Sequence, residues 1–196
     1  MGNRKDIIER CREAIAERLP RPSLDDLRPT VYADPLEQFK ITSTAMGCRV
    51  ETAASASEAD AIIRRAYPDA QLIASALPEI TIATRNPDTV ESAQALNGTD
   101  VGVVRGTLGV AENGCIWVPQ TMKERDVCFI SENLVVLLPA SCVVSNMHEA
   151  YARVKVPESG YATFIAGPSK TADIAQVLVT GAQAARTMTV ILLENE

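Results

Sequence analysis

Leu134-Val135-Val136-Leu137-Leu138 is a run of five aliphatic residues with no polar side chain among them. Successive residues of a strand face opposite sides, so this run fits a strand covered on both faces, as in a parallel sheet held between layers. Residues 127–130 form a similar run, and residues 188–193 another, broken only by Thr189. Segments with helical spacing lie between such runs. The alternation predicts an α/β fold: layered, with a mostly parallel central sheet and flanking helices.

Helices are expected at 5–19, where Ile7, Ile8, Cys11, Ala14, Ile15 and Leu19 keep helical spacing, and at 36–46, closing at Gly47. Others are expected from Ser57 to just before Pro68, and at 87–96, 143–154 and 171–179. Strands are expected at 48–52, 101–104, 127–130, 134–138, 162–166 and 188–193, with two short apolar runs at 71–75 and 79–83. The region 107–130 reads as an antiparallel, hairpin-like insertion. Pro20 and Pro22 stop the first helix, and segment 20–35 is rich in proline and charge. Residues 1–34 therefore read as a helix and Pro-rich arm, and residues 35–196 as one domain of ordinary size.

Composition removes several function classes. The 196 residues carry 25 acidic and 19 basic side chains, a net charge of −6, which argues against coating nucleic-acid phosphates. Aromatic residues, at 4%, are too few for a base-stacking platform. No stretch reaches the length of a membrane span, and no apolar segment follows the basic start as in a signal peptide, so a cytoplasmic location is expected. The five cysteines, Cys11, Cys48, Cys115, Cys128 and Cys142, lack metal-site spacing and an iron–sulfur run. They are expected to be reduced and mostly structural, and no cofactor is implied.

Three strand-end loops could carry chemistry, since open α/β sheets bind ligands beyond the carboxyl ends of their strands. The first contains Gly167, Pro168, Ser169, Lys170, Thr171 and Asp173. If a helix starts there, its free amides, two hydroxyls and lysine can hold a carboxylate or phosphate; equally, Ser169 or Thr171 can simply cap it. A Walker A loop is excluded, because Gly167 stands alone. The second contains Gly106, Thr107, Gly109, Glu112, Asn113 and Gly114. Its Glu112 can serve as base, nucleophile or acceptor, or can be a solvated residue at a hairpin turn. The third, Thr84-Arg85-Asn86, offers an arginine that can clamp a carboxylate or lie at the surface. His148 is the only histidine, and it completes neither a metal site nor a catalytic triad.

Gly167-Pro168-Ser169-Lys170-Thr171-Ala172-Asp173-Ile174 resembles the Gly-Pro-Ser-Arg/Lys-Thr-Ala-Asp-Ile signature of the LUD domain, the lactate utilization protein C family. Gly109-Val110-Ala111-Glu112, with Gly106-Thr107 before it, resembles that family's Gly-x-Ala-Glu-Thr-Gly segment. The resemblance covers roughly residues 35–196. Asn113 departs from the usual Thr, Cys115 from Thr or Ser, and Gly181-Ala182-Gln183-Ala184-Ala185 from the frequent Gly-Val-His-Gly-Pro.

The resemblance implies a fold like the NagB/RpiA/CoA transferase-like group. It also implies an accessory subunit in a system oxidising lactate to pyruvate, whose iron–sulfur chemistry resides in partner proteins. A small carboxylate or phosphorylated ligand would contact Ser169, Lys170 and Thr171 with the amides around Gly167 and Asp173. Glu112, Asn113, Gly106 and Thr107 would meet its remainder. Alternatives are a non-catalytic interaction module for iron–sulfur partners, or a CoA-transferase-like or sugar-phosphate isomerase-like enzyme using Glu112. A homo-oligomer is compatible with each.

Overall fold

The aliphatic run at 134–138 lies in the middle of a five-stranded parallel sheet. The computed structural model describes every residue except 1–3, 16–18, 21, 24–25, 159 and 175. Its helices are α1 (Arg4–Glu13), α2 (Pro35–Ala45), α3 (Ala59–Ala66), α4 (Val127–Ile130) and α5 (Met147–Arg153). Its strands in the first half are β1 (Cys48–Ala53), β2 (Ile73–Ala74), β3 (Val101–Arg105), β4 (Leu108–Val110) and β5 (Ile116–Pro119). Then follow β6 (Asn133–Pro139), β7 (Val143–Val144), β8 (Ala162–Ile165), β9 (Lys170–Thr171), β10 (Val179–Thr180) and β11 (Thr187–Leu193).

The central sheet has the order β1-β11-β6-β3-β2, and every pairing in it is parallel. The expected α/β layering is present. Pleating divides the aliphatic run between two cores. Leu134, Val136 and Leu138 join Met188, Val190, Leu192 and Phe39 of α2 on one face. Val135 and Leu137 join Val103, Ile191 and Ile62 and Ile63 of α3 on the other.

A second sheet, β7-β4-β5-β8, packs over the first of these faces. Its β4–β5 and β5–β8 pairings are antiparallel, and β4–β7 is parallel. Its outer face buries Val110, Trp117 and Val144 against Ala150 of α5. The hairpin expected around 107–130 is thus β4–β5, and residues 162–166 join it as β8 rather than entering the central sheet.

Other sequence expectations fail for physical reasons. Residues 127–130 are helical, not extended. Only Ser131 and Glu132 separate them from β6, whereas a parallel crossover needs about a dozen residues. The helix expected at 143–154 starts later. Val143 and Val144 pair with β4, and Asn146 then caps α5 by accepting from Glu149 N at 3.0 Å. Of the helix at 87–96, only a 3₁₀ turn at Ala93–Leu96 forms.

The helix expected at 171–179 is absent among the described residues. In its place β9 and β10 pair as a short antiparallel ribbon. Ile174, Val177 and Leu178 have helical spacing, but each is about two-thirds exposed. A short helix with no apolar face to bury gains too little from packing to form.

The first helix ends at Glu13, and part of its expected continuation, at 16–18, lies outside the described residues. It buries none of its residues. The end of the arm is tied down: Asn146 Nδ2 donates to Thr30 O at 2.9 Å and Tyr32 N to Ser145 Oγ at 3.1 Å.

Asp100 fastens the entry to β3, its Oδ2 accepting from Gln71 N and Leu72 N, each at 2.8 Å. The Leu72 and Gln71 amides favour the charged form and hold its carboxyl below the ordinary value. The stability it contributes is therefore present above the unfolded-state pKa, about 4, and is lost as pH falls through the lower folded value. Asp100→Asn is expected to lower the urea midpoint at pH 7, and the difference from the wild type is expected to shrink as pH falls from about 4 through the lower folded value. Parallel midpoint–pH curves would contradict this account.

Candidate functional site

Strand register brings the two motif loops to one end of the second sheet. Ile116 pairs with Ile165, so the turn entering β5 and the loop leaving β8 emerge side by side. Both rest on the last turn of α2. A Cβ on Gly114 would stand 3.2 Å from Ser43 Oγ, and one on Gly167 would stand 2.9 Å from Met46 O. Ser43 and Met46 are three residues apart, about one helical turn.

At the turn, Glu112 is exposed and its Oε1 accepts from Met147 N at 2.8 Å. It caps the first turn of α5, where the helix dipole favours a carboxylate. Asn113 Oδ1 accepts from Cys115 N at 3.1 Å and closes the turn. Thr107 is exposed, with its amide bound to Trp117 O. Gly106 is buried between the sheets against Ile116 and Val136, and offers no surface to a ligand. Glu112→Ala is expected to cost about 0.5–2 kcal/mol in chemical denaturation, as for loss of a helix cap.

In the other loop, Gly167 has φ +71° and lies against the Met46 carbonyl. Ser169 exchanges backbone bonds with its neighbours, donating to Ala185 O and accepting from Gly181 N. The exposed Lys170 donates from Nζ to Met46 O, meeting a carbonyl at the end of α2. That bond leaves two of its three ammonium protons free for other acceptors. Thr171 Oγ1 accepts from Asp173 N at 3.3 Å, a local turn bond. With no helix following, the anion-holding groups here are side chains rather than an array of helix-end amides.

A cleft of about 320 Å³ runs beside this loop. Gly167, Ser169 and Lys170 line it together with residues of β8 and with Cys128, Phe129 and Leu134. Glu112, Asn113, Gly106, Thr107, Thr171 and Asp173 do not line it. The sequence reading missed Cys128 and Phe129, because residues 127–130 looked like a strand. It did single out 181–185, and Ala184 and Ala185 border the cleft.

The arginines near the other strand ends have structural partners. Arg85 donates to Ala95 O and, at 3.1 Å, to Asn97 O, closing the Ala93–Leu96 turn. Arg105, at the carboxyl end of β3, pairs with Glu79 and, at 2.5 Å, with Glu196. Partial burial works against ionised Glu79, yet its bond to Arg105 prevails and keeps its carboxyl below the usual range. His148 is exposed. Among the described residues no three His, Cys, Asp or Glu side chains are grouped to hold a metal ion.

Burial pushes the thiols of Cys48 and Cys115 up to about 11 and that of Cys128 to about 12, while Lys170 pulls Cys48 weakly the other way. Cys11 is exposed. A thiol reagent at pH 8 is expected to modify Cys11 rapidly and these three only on unfolding. Rapid labelling of Cys48 in the native protein would contradict its placement.

The architecture defines a layered α/β protein with a parallel central sheet and a second, mainly antiparallel sheet bearing both motif loops. The LUD domain model matches residues 80–193, which include both loops, and the chain belongs to the LUD domain family. Lactate utilization protein C of Anoxybacillus flavithermus (strain DSM 21510 / WK1) is 32% identical over 103 residues, 50% of this chain and 44% of that protein. The chain thus matches less than half the length of that relative. The crystal structure of a DUF162 family protein from Deinococcus radiodurans superposes with a TM-score of 0.61 at 17% identity. It covers 84% of this chain and 99% of that one, and shares its fold. No helix among the described residues is long and apolar enough to cross a membrane.

Proposed function

We propose that this LUD-domain chain is an accessory subunit of a lactate-utilization system and binds a small carboxylate or phosphorylated ligand beside the 167–171 loop. The observation that carries the reading is the cleft of about 320 Å³ whose one charged lining residue is Lys170. Ser169 would donate its hydroxyl, and Lys170 its two remaining ammonium protons. Glu112, Asn113 and Thr171 would act indirectly, by shaping the loops that rest on α2. The relative named lactate utilization protein C supports the metabolic setting. Calorimetric titration with lactate, pyruvate and acetyl-CoA tests the reading. One of the three should bind, and Ser169→Ala and Lys170→Met should each weaken it about tenfold or more, the scale of a charge-assisted hydrogen bond. No heat from any of the three would overturn it.

A second reading, an interaction module for iron–sulfur partner proteins, is favoured by the exposed apolar surface of the arm. Ile7 and Ile8 of α1 are 57% and 39% exposed. Deleting residues 1–29 spares Thr30 and Tyr32, which are bonded to the domain, and should abolish co-purification with the neighbouring iron–sulfur subunit. Unchanged co-purification would remove the arm from that role.

A further inference from the structure

We propose that the open edge of β8 is a docking groove for an extended peptide segment of a partner protein, which adds a fifth strand to the second sheet and brings an acidic residue to Lys170. This goes beyond the partner-binding reading, which the arm carries, and stands on the β8 edge itself. The small-ligand reading can fail without it.

The cleft itself points to a strand. Thr163, Phe164, Ile165 and Ala166 all line it, although successive residues of a strand face opposite sides. Consecutive residues share one groove through their backbone edge. The β8 strand is the last in its sheet, with β5 as its one neighbour. Gln120 N donates to Tyr161 O at 3.1 Å, which makes 120 and 161 a hydrogen-bonded pair. Antiparallel pairs alternate, so Thr163 and Ile165 bond towards β5, while the amides and carbonyls of Ala162 and Phe164 point out of the sheet. Among the described residues no backbone group bonds to these, and the Phe164 carbonyl receives only a 3.3 Å contact from Thr163 Oγ1.

The edge also lacks the usual protection. Sheet edges are kept from pairing by charges, proline or shortness. The open edge β1 carries Arg49 and Glu51, and β2 and β7 are two residues long. Ala162-Thr163-Phe164-Ile165 has neither a charge nor a proline. Phe129, 37% exposed, lines the same groove and offers apolar surface to a side chain of an added strand. Lys170, the one charged lining residue, sets the acidic preference by charge complementarity.

Selection of the full chain against a displayed library of random peptides tests this. Selected peptides should alternate apolar and polar residues and carry an acidic residue. Added to the protein, they should slow hydrogen exchange of the Ala162 and Phe164 amides about tenfold or more, the protection expected of newly paired strand amides. Phe129→Glu, at a partly exposed position, should abolish binding without changing the melting temperature. Lys170→Glu should turn the selected charge from acidic to basic. No selectable peptide, or peptides that leave both amides unprotected, would overturn the proposal. So would protection that appears on raising protein concentration alone, which would assign the edge to a second copy. Peptide and small ligand would share the cleft and Lys170, so exchange of the Ala162 and Phe164 amides tests the strand edge, while lactate and pyruvate titrations test the lysine.

Discussion

Leu138→Ala is expected to lower the unfolding free energy by about 2–5 kcal/mol, the range for removing a fully buried leucine from a core that relaxes only partly. Leu138 is 0% exposed and belongs to the core between the two sheets. A Cβ on Gly109 of β4 would stand only 2.8 Å from its Cδ2, so the sheets are already in close contact there. The neighbouring layer cannot easily fall into the space left by truncation. Leu178→Ser provides the control: Leu178 is 65% exposed in the 171–178 segment and should stay within about 0.5 kcal/mol of the wild type. Urea unfolding monitored by far-ultraviolet circular dichroism measures both. A loss under about 1 kcal/mol for Leu138→Ala would mean that the two sheets do not share a core.

The same pair of residues shows what could be read from the sequence. Leu138 sits in an uninterrupted aliphatic run, and such a run has few solutions other than a strand covered on both faces, so the parallel sheet was legible. Leu178 sits in a segment whose Ile174, Val177 and Leu178 have helical spacing. Periodicity states which residues could share a face, but not whether any surface exists to cover that face. Ile174, Val177 and Leu178 stay about two-thirds exposed, and a two-stranded ribbon forms instead. Residues 127–130 failed similarly, because four apolar residues carry no period that separates helix from strand. The available signal was chain length, since two residues cannot carry a parallel crossover into β6. For α5 the Asn146-x-x-Glu149 pair was a legible start that the apolar Val143-Val144 obscured. At the candidate site, the residues of both motif loops were legible by resemblance. Their meeting on α2 was not, because it depends on the Ile116–Ile165 register between strands far apart in the chain.

Gly106→Ala should separate packing from ligand contact at a residue that sequence reasoning placed in the site. A Cβ there would stand 2.3 Å from Ile116 Cγ2 and 3.1 Å from Val136 Cγ1, both on fully buried side chains of facing sheets. Neither is the far end of a flexible chain, so the sheets must move apart or a rotamer must strain. Overpacking of this kind costs about 1–3 kcal/mol. Ile116→Ala removes the clashing methyl but leaves its own cavity, at about 2–5 kcal/mol. Because the two changes occupy the same space, the double variant should be more stable than the sum of the single losses predicts, by about 1 kcal/mol or more. A ligand-contacting glycine would behave otherwise: Gly106→Ala would weaken binding at unchanged stability, and Ile116→Ala would not compensate. Strict additivity, with an unaltered urea midpoint for Gly106→Ala, would return Gly106 to the site. Sub-additive losses would place it in the seam that holds both motif loops at one end of the second sheet.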